Sequence, residues 1–285
     1  MSKKRFIAMQ ANDLFLILHS IFQYSFMQHA FESGTVIAIV AGIMGYLVVI
    51  RRTSFAAHAY AEIGFAGAAG SVLIGLDPII GMLIATTVSG FGIALLGKKA
   101  SERDVEIGSI LAFALGLGLL FISLYSGYAA EAYSILFGQI LGISAGNVMI
   151  TLVVSAIILA ILAVVYRPIL FASLDEDVAE AKGMNVVALG AVFMILLAAA
   201  VSIAIQVSGV LLIFALMVTP AATAVRITRK PIFAIALAVA ISIFATWLGL
   251  LLAFYIPYPV SFFITSTVFI IYIAVRLASK FRIIP

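Results

Sequence analysis

Nine stretches of about twenty mostly apolar residues run through this chain, at 34–50, 54–75, 79–97, 105–125, 147–166, 187–205, 208–226, 232–255 and 259–276. A hydrocarbon core of roughly 30 Å needs about 20 apolar residues per helix, so each stretch is a candidate membrane span. The breaks between them carry loop punctuation: Asp77-Pro78, Lys98-Lys99, Arg167-Pro168, Lys230-Pro231 and Pro257-Tyr258-Pro259. The least marked break is Gln206-Val-Ser-Gly209. The expected fold is an all-α integral membrane bundle of eight or nine transmembrane helices, forming one domain over 1–285 with no soluble portion and no internal repeat.

Composition agrees. Apolar residues make up 65% of the chain and charged residues 10%, against about 45–50% and 25% in soluble domains. A soluble enzyme, a nucleic-acid-binding domain and a disordered chain are all excluded. The net charge of +4 resides in loop clusters and not on a continuous basic face, so it does not point to nucleic acid. Cysteine is absent, which removes disulfides and thiolate chemistry.

The basic residues orient the chain. Beyond Lys3, Lys4 and Arg5, every Lys and Arg follows the first, third, fifth, seventh or ninth span. The positive-inside rule places those connections and the C-terminal segment in the cytoplasm, making this a multi-pass protein of the cytoplasmic membrane. Tyr125, Tyr128, Tyr133, Tyr255 and Tyr258 fall at the opposite ends, where an interfacial aromatic belt sits. Nine spans put the N-terminus outside, whereas Lys3, Lys4 and Arg5 argue for inside. Residues 11–31 are expected to lie along the interface as an amphipathic helix, because Asp13, His19 and His29 are costly in lipid. A tenth, polar span is the alternative. No cleaved signal peptide is read at the start.

The second span carries charge where most carry none. His58 and Glu62 are four residues apart and share a helix face. At about 1.5 Å per residue they lie roughly 10 and 16 Å from the Arg51-Arg52 end, so Glu62 is near the bilayer midplane. An ionisable group there costs roughly 2.5 kcal/mol or more unless it is paired or wetted. Imidazole and carboxylate together suit a divalent transition metal, and two such pairs from a two-fold dimer would supply four ligands. Mutual hydrogen bonding across one turn, or a proton relay, also accounts for the pair. Gly64, Gly67 and Gly70 on the same span fit ordinary close helix packing.

The connection after the fifth span predicts a short cytoplasmic helix over 174–182. Ser173 with Glu176 makes a capping pattern. Asp175 and Asp177 suit the positive end of a helix dipole. Gly183 suits the position just past the helix. Leu174, Val178 and Ala181 form an apolar stripe, which is either an inert surface or a docking face for a cytoplasmic partner. Pro220 interrupts the seventh span, as a static kink or a hinge. Gly92 to Lys99 imitates a phosphate-binding loop but ends in Lys99 and follows no strand, so it is rejected. Asp104 and Glu106 read as solvated end charges.

Several segments together resemble the membrane permeases of the ABC-3 family, the zinc and manganese uptake ABC transporters. They are Arg51-Arg52 with the His58–Glu62 face, the Asp104–Gly108 start, Leu136–Ser144 (L-F-G-Q-I-L-G-I-S), the loop helix ending at Gly183, and Leu216–Ala224 (L-M-V-T-P-A-A-T-A). The resemblance implies a homodimeric permease, a separate cytoplasmic ATPase that binds the ATP, and an extracytoplasmic metal-binding protein that delivers the ion. It places the ATPase-coupling segment at Ser173, Asp175, Glu176, Asp177 and Gly183. The family's metal pair is usually Asp followed four residues later by His; here His58 and Glu62 keep both chemistries in reversed order. No resident cofactor is implied, only a transported cation, with zinc favoured over manganese or iron because imidazole is a borderline ligand. A gradient-driven secondary transporter or channel is the rival, but it predicts more intramembrane carboxylates and often inverted repeats. An intramembrane hydrolase lacks a residue set.

Overall fold

The structure is a computed structural model that describes residues 21–95, 104–125, 142–210 and 213–280. Within them lie ten helices: α1 (Ser25–Ile50), α2 (Ser54–Leu73), α3 (Pro78–Leu95), α4 (Asp104–Leu124), α5 (Ala145–Leu174), α6 (Glu176–Ala181), α7 (Val186–Ser208), α8 (Ile213–Ile227), α9 (Pro231–Tyr255) and α10 (Val260–Lys280). Apart from α6, each matches one of the nine apolar stretches. Six of them, α1, α4, α5, α7, α9 and α10, are long and apolar enough to cross a bilayer on those grounds alone. Lys98, Lys99, Tyr128, Tyr133 and residues 136–141 lie outside the described residues.

The boundaries differ from expectation where local signals compete with packing. Residues 11–20 are outside the described region, but 25–31 do not form part of a separate surface helix. They are the first two turns of α1, because Met27, Ala30, Phe31 and Gly34 repeat at helical spacing and bury one stripe. His29 there places Nδ1 3.2 Å from the Ile143 carbonyl. The break expected at Arg167-Pro168 is not a break: α5 runs through Pro168 to Leu174. A proline costs a helix one hydrogen bond, and membrane helices tolerate that loss. The less marked cut is real. Gly209, at φ +74°, ends α7, a backbone geometry in which a side chain is strained.

Two helices occupy the interior. α1 packs against α9, α8, α5 and α7, and α2 packs against α4, α3 and α7. The closest approaches are made at glycines. An added methyl on Gly45 would collide with the Met217 carbonyl of α8. Without a hydrophobic drive between helices in lipid, such close backbone contact supplies the association energy. By contrast, α4, α5 and α10 expose large apolar side chains such as Phe113, Val164 and Phe269. Exposed apolar side chains are at home in hydrocarbon.

The α1–α2 connection is three residues long and rigid. Arg52 N–H donates to Val49 O and Thr53 N–H to Val48 O. These are the paired bonds of a Schellman cap. Arg52 takes the position where glycine is usual, at φ +56°. That left-handed conformation costs a non-glycine residue about 1–2 kcal/mol, so the turn is held by what surrounds it. The start of α2 is thereby fixed to the end of α1.

Candidate functional site

Of all the helices, α2 is the most enclosed. From Ala56 to Ala69 nearly every side chain is buried, on all faces. Ala and Gly, with only Tyr60 and Phe65 as large rings, make this possible, since small side chains let α3, α4 and α7 close in. Gly67 and Gly81 meet across α2 and α3, Gly64 fits against Ile205 and Thr86, and Gly70 lies against the Phe121 ring. All three α2 glycines serve packing.

Glu62 sits in this enclosure with only 6% of its surface exposed, and among the described residues its carboxylate makes no hydrogen bond. His58, one turn nearer the Arg51 end of the helix, is half-buried and close enough to interact electrostatically with Glu62. The Phe214 ring, at the start of α8, stands edge-on to the imidazole with centroids 6.3 Å apart. Nothing in the sequence signalled Phe214, because it reaches His58 only through the packing of α8 on α2. Among the described residues no three His, Asp or Glu side chains gather into a metal-holding group. The pair thus offers one nitrogen and one carboxylate donor.

Between α3 and α7 runs a buried polar seam that sequence reasoning missed. Thr86 Oγ1 on α3 donates to the Met82 carbonyl and accepts from Ser202 Oγ on α7. Its only signal was two hydroxyl residues inside apolar spans. Pro220 lies buried within a continuous α8. Lacking an N–H, it leaves the Leu216 carbonyl without its helical partner, and Ser242 Oγ from α9 donates to that carbonyl at 3.3 Å.

Directly after α5, α6 spans Glu176–Ala181 and is capped by Asp175, whose carboxylate accepts from Val178 N–H at 3.0 Å. Glu176 and Asp177 occupy its first turn, and Gly183 has φ +79° just past its end. Ser173 is not the cap. It belongs to the last turn of α5, where Oγ donates to the Ile169 carbonyl and accepts from Arg51 Nη1 at 2.9 Å. The capping pattern failed because α5 continues past Pro168 and takes Ser173 into its own helix. Ala179 turns inward onto Ala172 and Val186. Leu174 and Val178 face outward, 69% and 42% exposed, and Ala181 is exposed too.

The bundle has the helix lengths and apolar surfaces of a multi-pass membrane protein. The model of the ABC 3 transport family matches residues 23–279, and the chain belongs to that family. The manganese transport system membrane protein MntC of Listeria monocytogenes is 31% identical over 216 residues, covering 75% of this chain and 77% of that one. The manganese import system permease protein ScaB of Streptococcus gordonii is 29% identical, covering 83% and 85%. The solved structure of PsaBC from Streptococcus pneumoniae in complex with Fab has a chain of the same fold. Its TM-score is 0.81 at 27% identity, with 92% of this chain and 95% of that chain covered. The chain is accordingly a multi-pass permease of the cell membrane, a transport component and not an enzyme.

Proposed function

We propose that this chain is the membrane subunit of an ATP-driven importer for a divalent transition metal, and that His58 and Glu62 hold the ion in transit. The observation that carries this reading is a carboxylate 6% exposed on the most enclosed helix, with an imidazole one turn away. Burying such a group is too costly to persist without a task or a partner. Two donors are fewer than a bound transition metal takes. A second copy related by a two-fold axis would bring the set to four, so the permease works as a homodimer. An extracytoplasmic metal-binding protein releases the ion into the cavity between the copies. A cytoplasmic ATPase seats on the α5–α6 corner through Leu174 and Val178, with Ser173, Asp175, Glu176, Asp177 and Gly183 shaping that segment, and ATP turnover switches access. Pro220, in a helix whose freed carbonyl is already taken by Ser242, is a place where α8 can bend.

For the ion, the donor chemistry and the relatives pull apart. Imidazole favours zinc on ligand preference, while the relatives named above carry manganese in their names. A mixed carboxylate and imidazole set accommodates manganese, and we place manganese first and zinc second. The test is metal-stimulated ATP hydrolysis by the reconstituted complex, ion by ion. Stimulation by Mn2+ or Zn2+ that vanishes with His58→Ala or Glu62→Ala supports the reading; wild-type stimulation in both variants ends it.

A further inference from the structure

Arg51 closes α1 and opens the turn into α2, and its guanidinium is not solvent-facing in the way its neighbour Arg52 is. It is half-buried and reaches across to two distant elements. Nη1 donates to Ser173 Oγ at 2.9 Å, and the guanidinium carbon lies 4.9 Å from the centroid of the Phe193 ring. Ser173 is on the last turn of α5, two residues before the Asp175 cap of α6. Phe193 is on α7, the helix that follows α6. One side chain thus grips both helices that flank the exposed cytoplasmic helix. At its own backbone, Arg51 begins the three-residue Schellman turn that fixes the start of α2, and His58 lies seven residues further on, about 10 Å along the helix.

From this arrangement, and resting on the functional reading above, we infer that Arg51 is the positioning residue through which movement of α6 reaches the metal-bearing helix. The physical argument is one of stiffness. α6 is joined to α5 through Asp175 alone and to α7 through four residues, so it cannot move without displacing the end of α5 or the start of α7. Both displacements pull on the guanidinium. The hydrogen bond comes from a charged donor and the cation–π contact lies on the same guanidinium, so the side chain follows a shift of the flanking helices instead of letting go. The Arg52 turn, strained and paired at both N–H groups, passes the pull to α2 instead of absorbing it. Lysine at position 51 would keep the charge over Phe193 but lose the planar fork that serves both contacts at once.

The test uses the complete complex of permease, ATPase and binding protein in liposomes, with Mn2+ and then Zn2+ as the ion. It reads ions moved per ATP hydrolysed, alongside equilibrium metal binding and the thermal midpoint of the purified permease. R51A lowers the ratio by about tenfold, within the usual range of coupling between linked sites. S173A and R51K lower it by less, and the double variant R51A/S173A falls no further than R51A alone. Metal binding stays at the wild-type value, and the thermal midpoint drops only slightly, so the permease remains folded at the assay temperature. A wild-type ratio in R51A overturns the inference. So does a ratio that falls only in step with metal binding or the thermal midpoint, since that makes Arg51 a structural prop. A wild-type complex that moves neither ion overturns the functional reading, and this inference with it. A transporting wild-type complex beside a fully coupled R51A overturns this inference alone.

Discussion

Gly67 on α2 and Gly81 on α3 face each other so closely that a methyl group on either would collide with the carbonyl oxygen of the other. The contact is reciprocal and backbone to backbone, so no flexible side chain can yield. It sets the distance between α2 and α3.

Gly81→Ala therefore forces α2 and α3 apart. Overpacking of this kind costs about 1–3 kcal/mol, and thermal unfolding in detergent should show a lowered midpoint together with reduced transport. Gly92, which has open space around its would-be methyl, is the control: Gly92→Ala leaves both unchanged.

The Thr86–Ser202 bond gives a contrasting expectation. Hydrogen bonds between membrane helices average about 0.6 kcal/mol. Thr86→Val keeps the shape and loses the hydroxyl, so it should cost less than Gly81→Ala in the same unfolding measurement. A larger loss would mean that the seam, not the glycine contact, holds α3 on α7.

His58→Ala and Glu62→Ala should each reduce metal uptake to background while leaving the dimer and its association with the ATPase intact. Glu62→Asp keeps the carboxylate one methylene short and should retain part of the uptake. Radiometal uptake, with co-purification of the ATPase as the assembly readout, separates a lost ligand from a lost fold.

At six residues α6 is too short to be stable by propensity alone, so its cap matters more than usual. Asp175→Ala removes the bond to Val178 N–H and should cost about 1 kcal/mol locally, seen as faster amide exchange across 176–181. Leu174→Asp and Val178→Asp leave the cap in place but put charge on the exposed apolar face. They should weaken ATPase binding with little change in the thermal midpoint of the permease.

Much of the architecture was legible because its determinants are local. Hydropathy along a twenty-residue window marks a span whatever it packs against, and each of the nine stretches has a helix at its place. Helical periodicity alone puts His58 and Glu62 on one face. The Asp175, Glu176, Asp177 and Gly183 signals placed α6 to within two residues at its start. The misreadings share one cause. Ser173, Pro168 and residues 25–31 each carry a polar or helix-breaking signal that local rules take at face value. In the folded chain Ser173 bonds to Arg51, α5 tolerates Pro168, and Met27, Ala30 and Phe31 find a core.

The linear order of residues determined where the apolar helices lie along the chain and the pairing of an acid with an imidazole on one helix. Apolar length and a 3.6-residue period are properties of short windows. Only the tertiary structure decided that this helix is the enclosed one, that Phe214 stands against His58, and that Arg51 meets Ser173 from 122 positions away. Those outcomes depend on how closely backbones approach at Gly45, Gly67 and Gly81. A missing side chain has no periodic signature until its neighbour is known.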